Sequence, residues 1–153
     1  EMKAMAPKAA ALRESLARLM DEDSASFDGV SAAMKLPKAT DAEKATRTAS
    51  LQKALLAASE VPLETMRACL EVLALARFAA EKGNVNAVSD AAVSALQARA
   101  GLEGAGWNVR INAGAIKDPV SAARLRQEAE RLCAEARALE TEVLAKASAR
   151  LGA

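Results

Sequence analysis

Residues 118–143 read DPVSAARLRQEAERLCAEARALETEV, and this stretch decides the fold class. Asp118-Pro119 is an N-cap followed by a proline at the first helical position, which is a common way for a helix to begin. Leucine then recurs every seven residues, and a small or β-branched residue follows each leucine by four. The leucines are Leu125, Leu132 and Leu139, and the residues that follow them are Ala129, Ala136 and Val143. This repeat predicts a long final helix with a coiled-coil-like seam.

The remaining chain has the same helical bias. Alanine, the best helix former, supplies 40 of the 153 residues, and aromatic residues make up only 2%. Runs of β-branched or aromatic residues, which strands favour, are scarce. We therefore predict a single all-α domain over residues 1–153, folded as an antiparallel helical bundle. Because alanine buries little apolar area, such a bundle would gain stability by burying a further face in a dimer.

Polar residues and prolines suggest where the first helices end. A leucine stripe predicts a first helix that ends near Met20 and that Pro7 either starts or kinks. Residues 21–24 form a polar break, and a short second helix follows it. Its apolar residues at helical spacing are Phe27, Val30 and Met34. Pro37 ends this helix, because proline disfavours helical geometry in the residue before it.

Two longer helices are predicted in the middle of the chain. Thr40 and Glu43 form a capping-box pattern that opens the first of them. Pro62 marks a restart or a kink, and Gly83 is a C′ glycine that ends the helix. The next helix begins near Ala87, and its inward-facing residues are Val88, Ala92, Val93 and Leu96. We expect it to weaken at its glycines, Gly101, Gly104 and Gly106.

The composition excludes several kinds of site. The chain has no histidine, so it has no Ser/His/Asp or Cys/His triad and no His-ligated zinc or haem. Its two cysteines, Cys69 and Cys133, are too few for a zinc ribbon or an iron–sulfur cluster. We expect both to be inert packing residues. A net charge of +1 and three aromatic residues argue against a nucleic-acid partner.

The sequence also bears on location. No run of apolar residues is long enough for a membrane-spanning helix, and no signal-peptide pattern opens the chain. Two cysteines without a disulfide pattern fit a reducing compartment. We therefore predict a cytoplasmic protein without a membrane partner. The chain starts Glu1-Met2-Lys3 within helical sequence, so we expect a further segment to precede it.

Three polar clusters do not fit a simple solvated helix face. They are Asp23…Phe27 with Leu36-Pro37-Lys38, then Gly83-Asn84-Val85-Asn86-Ala87-Val88-Ser89-Asp90, then Trp107-Asn108-Val109-Arg110-Ile111-Asn112. Each also has a purely structural interpretation. Asp23, and Asn86 or Ser89, would be helix caps, and Lys38 an exposed loop residue. Asn108 and Asn112 share one helix face, where a buried amide needs a partner, and each would make an inter-helix hydrogen bond or cap a helix.

Taken in this order, the three clusters, together with Val61-Pro62-Leu63, resemble the cyclodeaminase/cyclohydrolase family. The resemblance covers about Leu16 to Asp118, and the Gly-Asn-x-Asn-Ala-x-Ser-Asp block is its most specific element. Members of that family usually open with a Gly- and Pro-rich segment of Pro-Gly-Gly-Gly-Ser type, which this chain lacks. The family comprises the C-terminal domain of formimidoyltransferase-cyclodeaminase and stand-alone methenyltetrahydrofolate cyclohydrolases, and its all-α members form dimers.

The resemblance implies a tetrahydrofolate substrate and a homodimer. A cyclohydrolase adds water to 5,10-methenyltetrahydrofolate and releases 10-formyltetrahydrofolate. A cyclodeaminase closes a 5-formimidoyl group and releases ammonia. A third possibility is a helical protein that binds a folate or a protein partner without catalysis. Of these, the cyclohydrolase best suits a chain without a transferase domain.

Neither reaction requires a metal or a redox cofactor. Both need proton transfer, which a carboxylate or a lysine performs when burial or a neighbour tunes its pKa. Under this resemblance, Asp90 transfers the proton or stabilises the cation, and Lys38 supplies a proton or holds the oxyanion. Asp23 pairs with the pterin amino and ring N–H groups, and Arg110 meets the glutamate tail. The other expected substrate-binding residues are Asn84, Asn86, Ser89, Asn108 and Asn112.

Overall fold

The computed structural model describes residues 2–152, with side-chain environments given from residue 5 onward. Over this range the chain forms four α-helices and one short 3₁₀ turn, without any strand. The helices are α1 (Met2–Met34), α2 (Asp41–Lys82), α3 (Val88–Ala115) and α4 (Pro119–Leu151), and the turn is Val85–Ala87. The predicted all-α class is therefore confirmed.

The helix α2 is the centre of the bundle. It packs against α1, α3 and α4, and α3 also packs against α4. Because short loops join consecutive helices that contact each other, neighbours run antiparallel, as predicted. The helices α1 and α3 lie close enough to line common cavities over α2.

The seam predicted for α4 forms most of that helix's buried face. All six of its residues are buried, among them Leu125 at 0%, Leu132 at 1% and Val143 at 0% exposure. Asp118 caps the helix, because its side chain accepts a hydrogen bond of 2.9 Å from the Ser121 N–H. Both predictions from the opening stretch are confirmed.

The predicted break in α1 at residues 21–24 is wrong, since the helix is continuous to Met34. The hydroxyl of Ser24 donates to the Met20 carbonyl at 3.2 Å, and that of Ser26 donates to the Asp23 carbonyl at 2.8 Å. These polar side chains are thus satisfied inside the helix rather than ending it. The same continuity places Asp23 in the helix interior, so it is not a cap.

The helix α2 begins as predicted, but the glycine at its C-terminal end has a different explanation from the predicted one. Thr40 and Glu43 form the complete capping box. Pro62 does not restart the helix, which runs unbroken to Lys82. Gly83 ends it with a φ of −74°, so a left-handed conformation does not explain the glycine. A Cβ at this position would instead overlap with the Ala79 carbonyl.

The predicted inward face of α3 is partly wrong. Val88 is buried, but Val93 and Leu96 are 51% and 47% exposed. The buried face is formed mainly by alanines, Ala91, Ala95 and Ala98, together with Leu102. The helix also continues through its glycines to Ala115. At Gly106 the glycine has a packing role, because its missing side chain leaves room for Met66, whose Cε would lie 3.2 Å from an added Cβ.

The two cysteines are free and buried. Burial raises the pKa of the Cys69 thiol, which keeps it in the uncharged form. Their position agrees with the predicted packing role. Within residues 2–152 no helix is long and apolar enough to cross a membrane. A further segment was expected before Glu1, and Glu1 itself lies outside the described residues.

Candidate functional site

A cleft of about 690 Å³ lies between α1 and α3, with α2 as its floor. Three of the predicted site residues line it, namely Asp23 from α1 and Asn108 and Asn112 from α3. Exposed apolar side chains, Phe27 at 70% and Ile111 at 68%, also contribute to its walls. A cavity of this size with a few polar groups is typical of a small-molecule site.

The cleft continues along the same two helices. A second cavity of about 500 Å³ shares Asp23, Ser24 and Asn108 with the first. Gly101 and Gly104 line its α3 side. The two cavities together form a groove, which we call the α1–α3 groove.

Asp23 is the only acidic residue that lines both cavities of the groove. It is half-buried, and no lysine or arginine in the described part of the chain pairs with it. A carboxylate of this kind has both oxygens available to accept hydrogen bonds. It is therefore suited to a ligand that presents a pair of N–H donors.

The side chain of Asn112 is held by a backbone group of α2. Its Nδ2 donates to the Ala58 carbonyl at 2.9 Å. That carbonyl lacks its helical donor because Pro62, four residues later, has no N–H. The sequence predicted an inter-helix hydrogen bond for the Asn108–Asn112 face as one alternative, and Asn112 makes one.

Sequence reasoning missed Gln52, which fixes the end of α3. Its Nε2 donates to the Ala115 carbonyl at 3.1 Å, and its Oε1 accepts from the Lys117 N–H at 2.6 Å. This pair of bonds ties the α3–α4 connection to α2 and so positions the turn of helix that carries Asn112. A glutamine in a helical repeat gives no local signal of such a role.

The Gly83–Asp90 cluster lies at the other end of α3. The Asn84 Oδ1 accepts from the Asn86 N–H at 3.0 Å and so caps the 3₁₀ turn, whereas Ala87 begins α3 without a side-chain cap. Asn86 and Ser89 are therefore not caps of α3, contrary to that interpretation. Asn84, Asn86, Ser89 and Asp90 are all exposed.

An arginine from α4 holds this cluster in place. The Nη1 and Nη2 of Arg150 donate to the carbonyls of Ala80 and Gly83, at 2.9 and 2.8 Å. The guanidinium thus satisfies carbonyl groups at the C-terminal end of α2, where helices leave them unpaired. The position of the Asn84–Asn86 turn depends on α4 for this reason.

One chain does not bring the two groups of predicted residues together. Asp90 and Asn112 lie near opposite ends of α3, which at about 1.5 Å per residue places them about 33 Å apart. Lys38 is exposed on the connection between α1 and α2 and does not line the groove. The structure therefore groups Asp23, Asn108 and Asn112, and separates them from Asn84, Asn86, Ser89 and Asp90.

Arg110 faces α4 rather than the cleft. Its guanidinium carbon lies 5.1 Å from the centre of the Trp107 ring, and its Nη2 lies 3.7 Å from the Cys133 sulfur. The thiol also contacts Glu103. Burial, reinforced by this carboxylate, raises the pKa of the Cys133 thiol.

A charged network joins α3 to α4 beside Arg110. Glu103 accepts hydrogen bonds from Arg137 at 2.9 and 3.1 Å and lies 3.4 Å from Arg99. Burial acts to raise the pKa of Glu103, but the two arginines outweigh it and the pKa is lowered. No cluster of three or more potential metal ligands occurs among the residues that the structure describes.

Comparison with known proteins gives a consistent result. The profile of the formiminotransferase-cyclodeaminase family matches residues 1–131. A methenyltetrahydrofolate cyclohydrolase from Methylorubrum extorquens is 44% identical over 143 residues, which are 94% of this chain and 69% of that protein. The formimidoyltransferase-cyclodeaminase of Rattus norvegicus is 32% identical over 149 residues, which are 97% of this chain but 28% of the rat protein.

A solved structure shares the fold. The crystal structure of formiminotetrahydrofolate cyclodeaminase from Thermotoga maritima matches with a TM-score of 0.86. The match covers 99% of this chain and 71% of the other, at 24% identity. At that identity the likeness concerns the fold alone.

Proposed function

We propose a function for this chain, which belongs to the formiminotransferase-cyclodeaminase family: hydrolysis of 5,10-methenyltetrahydrofolate to 10-formyltetrahydrofolate. The observation that carries the proposal is the 44% identity to a methenyltetrahydrofolate cyclohydrolase along 94% of this chain. The cleft between α1 and α3 supports it, because a volume of about 690 Å³ suits a folate-sized ligand.

The chemistry is within reach of the residues present. Water attacks the cationic carbon that bridges N5 and N10, and a tetrahedral carbon forms. The bond from this carbon to N5 then breaks, N5 keeps the electron pair and takes up a proton, and the formyl group stays on N10. One proton is released overall, so the site needs a group that accepts a proton from water. The bridge carbon is already electrophilic, and we propose that no metal or redox cofactor takes part.

Within the groove, we assign the pterin to Asp23, Asn108 and Asn112. The free carboxylate of Asp23 accepts from the 2-amino and ring N–H groups, and the amides bind the remaining polar edge. Asp90 is the proposed proton-transfer residue, and Lys38 the proposed oxyanion or proton donor. Asn84, Asn86 and Ser89 orient water or substrate around Asp90. Arg110 faces α4, so it has no part in this assignment.

A twofold dimer would assemble these residues into one site. If α3 packs antiparallel against α3 of a second copy, the Asp90 end of one chain meets the Asn112 end of the other. The midpoint between these ends is Gly101, and Gly104 has nothing within 4 Å of an added Cβ, so two helices can approach closely there. The exposed Val93 and Trp107 lie on either side of this point. We therefore propose a homodimer with shared sites.

We also propose a cytoplasmic location, which the two free, buried cysteines support.

The test of the function is turnover of methenyltetrahydrofolate, followed by loss of its absorbance above the spontaneous rate. The Asp90→Asn variant should lose about 10²-fold or more of that activity, as expected for a proton-transfer residue. Asp41→Asn is the matched control, since Asp41 is also an acidic residue in the first turn of a helix. A folded Asp90→Asn variant with near-normal turnover would refute the assignment.

The alternative activity is cyclodeaminase, which the 32% identity to the rat protein favours as second candidate. Ammonia release from 5-formimidoyltetrahydrofolate, without methenyl turnover, would establish it instead. Folate binding without either reaction would indicate a non-catalytic binding protein.

A further inference from the structure

The hydrogen bond between Asn112 and Ala58 fixes which way the Asn112 amide points. The Ala58 carbonyl can only accept, so the Nδ2 of Asn112 must face it, at 2.9 Å. The Oδ1 of the same planar amide therefore points away from Ala58. The carbonyl is available for this bond only because Pro62 supplies no N–H to it.

The direction left to Oδ1 is the cleft. Asn112 and Ala58 both line it, and Asn112 is half-buried there. No side chain or backbone N–H in residues 2–152 donates to the Asn112 Oδ1. The cleft thus contains a hydrogen-bond acceptor that cannot exchange places with the donor of its own amide, because rotation would set Oδ1 against the Ala58 carbonyl.

We propose that Asn112, oriented by Pro62 through Ala58, selects a reduced pterin ring by accepting a hydrogen bond from its N8–H. This inference rests on the proposed function, since it specifies which oxidation state of folate the same cleft takes. Reduced pterins carry a hydrogen on N8, whereas the fully oxidised ring presents a bare nitrogen lone pair at that position. Two acceptors then face each other, and a buried polar group is left unpaired.

An asparagine that is free to rotate would not discriminate in this way. It would turn its Nδ2 toward an oxidised ring and its Oδ1 toward a reduced one. Selectivity therefore depends on the proline one helix away, and Pro62 and Asn112 act as positioning residues for the ring.

The first experiment compares two ligands that differ at the C7–N8 bond in the required way, 7,8-dihydrofolate and folic acid. Dihydrofolate carries N8–H and folic acid does not. Isothermal titration calorimetry on the whole chain should give about tenfold or more tighter binding of dihydrofolate. In Pro62→Ala, the new N–H can donate to the Ala58 carbonyl and release Asn112, so the ratio of the two dissociation constants should fall toward one.

Pro7→Ala is the matched control for this substitution. Pro7 is the other proline within a helix, and it does not line the cleft. Its replacement should leave the ratio of dissociation constants unchanged. A Pro62→Ala variant that keeps the wild-type ratio would overturn the inference.

A second measurement tests, without any folate, whether Pro62 controls the hydrogen bond between Asn112 and Ala58. Asn112→Ala leaves the Ala58 carbonyl unpaired when residue 62 is proline, but not when Pro62→Ala restores the helical donor. Urea unfolding of the four proteins in this double-mutant cycle should show a coupling of about fivefold in the unfolding equilibrium constant. Additive effects would mean that Pro62 does not orient Asn112, and the inference would fail.

The outcomes separate this inference from the proposed function. Methenyl turnover with equal binding of dihydrofolate and folic acid would overturn the inference and leave the function intact. A preference for dihydrofolate without turnover would support the inference and overturn the function. Binding of neither ligand together with absent turnover would overturn both.

Discussion

Two inactive variants should restore each other's activity if the site is shared between two chains. Asp23→Ala removes the proposed pterin carboxylate, and Asp90→Asn removes the proposed proton-transfer group. In one chain the two ends of α3 are about 33 Å apart, so Asp90 cannot act on a ring bound beside Asn112. In the proposed antiparallel dimer each site takes its Asp90 from one chain and its cleft from the other.

The expected recovery follows from the symmetry. In a heterodimer of the two variants, one site carries both substitutions and the other carries none. Random exchange of an equal mixture makes half of the dimers heterodimers, so the mixture should reach about a quarter of wild-type activity. Heterodimers isolated with two different affinity tags should reach about half.

The assay is methenyltetrahydrofolate turnover after the subunits have been exchanged, with each variant alone as background. Wild type exchanged with Asp90→Asn serves as the control for loss of activity during exchange. If each chain carried its own complete site, both sites of the heterodimer would be damaged. Activity that stays at the mean of the two variants would therefore refute the shared site and the antiparallel contact together.

Three further predictions concern stability. Leu132→Ala should lower the free energy of unfolding by about 2–5 kcal/mol in urea, because the residue is 1% exposed in the α4 seam, and a loss below about 1 kcal/mol would show that the seam is loosely packed. Burial acts to raise the pKa of Glu103, but its ion pair with Arg137 lowers it. The stabilisation that this carboxylate gives the folded protein is therefore present above the ordinary carboxyl pKa and is lost as the pH falls through the lowered value. Glu103→Gln should flatten that acid limb of stability against pH, and an unchanged limb would contradict the ion pair. Gly83→Ala should destabilise by about 1–3 kcal/mol through its backbone overlap, whereas Gly29→Ala, with open space around it, should stabilise by about 0.5–1 kcal/mol; equal effects would exclude the overlap.

Features that depend on nearby residues were predictable from the sequence. The α4 seam and the Thr40–Glu43 capping box arise from spacings within a single helix, and both are as predicted. The break predicted at residues 21–24 is wrong because serines such as Ser24 and Ser26 can have either of two opposite effects on a helix. A serine can end a helix or bond back to a carbonyl within it, and tertiary packing decides between them.

The inward face of α3 was not predictable from side-chain hydrophobicity. Val93 and Leu96 are more apolar than Ala91, Ala95 and Ala98, yet the alanines are the buried ones. Close approach of α3 to its neighbours requires small side chains on the inner face. The larger residues are then left on the outer face, which is the reverse of the usual pattern.

The residue types of the candidate site were predictable, but their grouping was not. The resemblance placed Asp23, Asn108 and Asn112 in one constellation with Asp90, but the order of motifs along a chain does not say which of them lie close together in space. The role of Gln52 was also hidden, because its partners lie more than sixty positions away at Ala115 and Lys117. Pro62 was a usable signal, since a proline in the interior of a helix leaves the carbonyl four residues earlier without its helical donor.

The exposed face of α3 and the divided site have a common explanation in the proposed dimer. Val93, Leu96 and Trp107 together expose an apolar stripe that a monomer would not be expected to maintain at 47–62% exposure. An antiparallel copy of α3 would cover this stripe and, by the same contact, carry Asp90 to the cleft of the other chain. A small residue near the centre, Gly104, is what such a crossing requires, because a Cβ there would meet nothing within 4 Å in its own chain and a larger side chain would keep the two helices apart. In the proposed dimer, one contact would thus bury the apolar face and complete the site, so variants that lose the dimer should also lose activity.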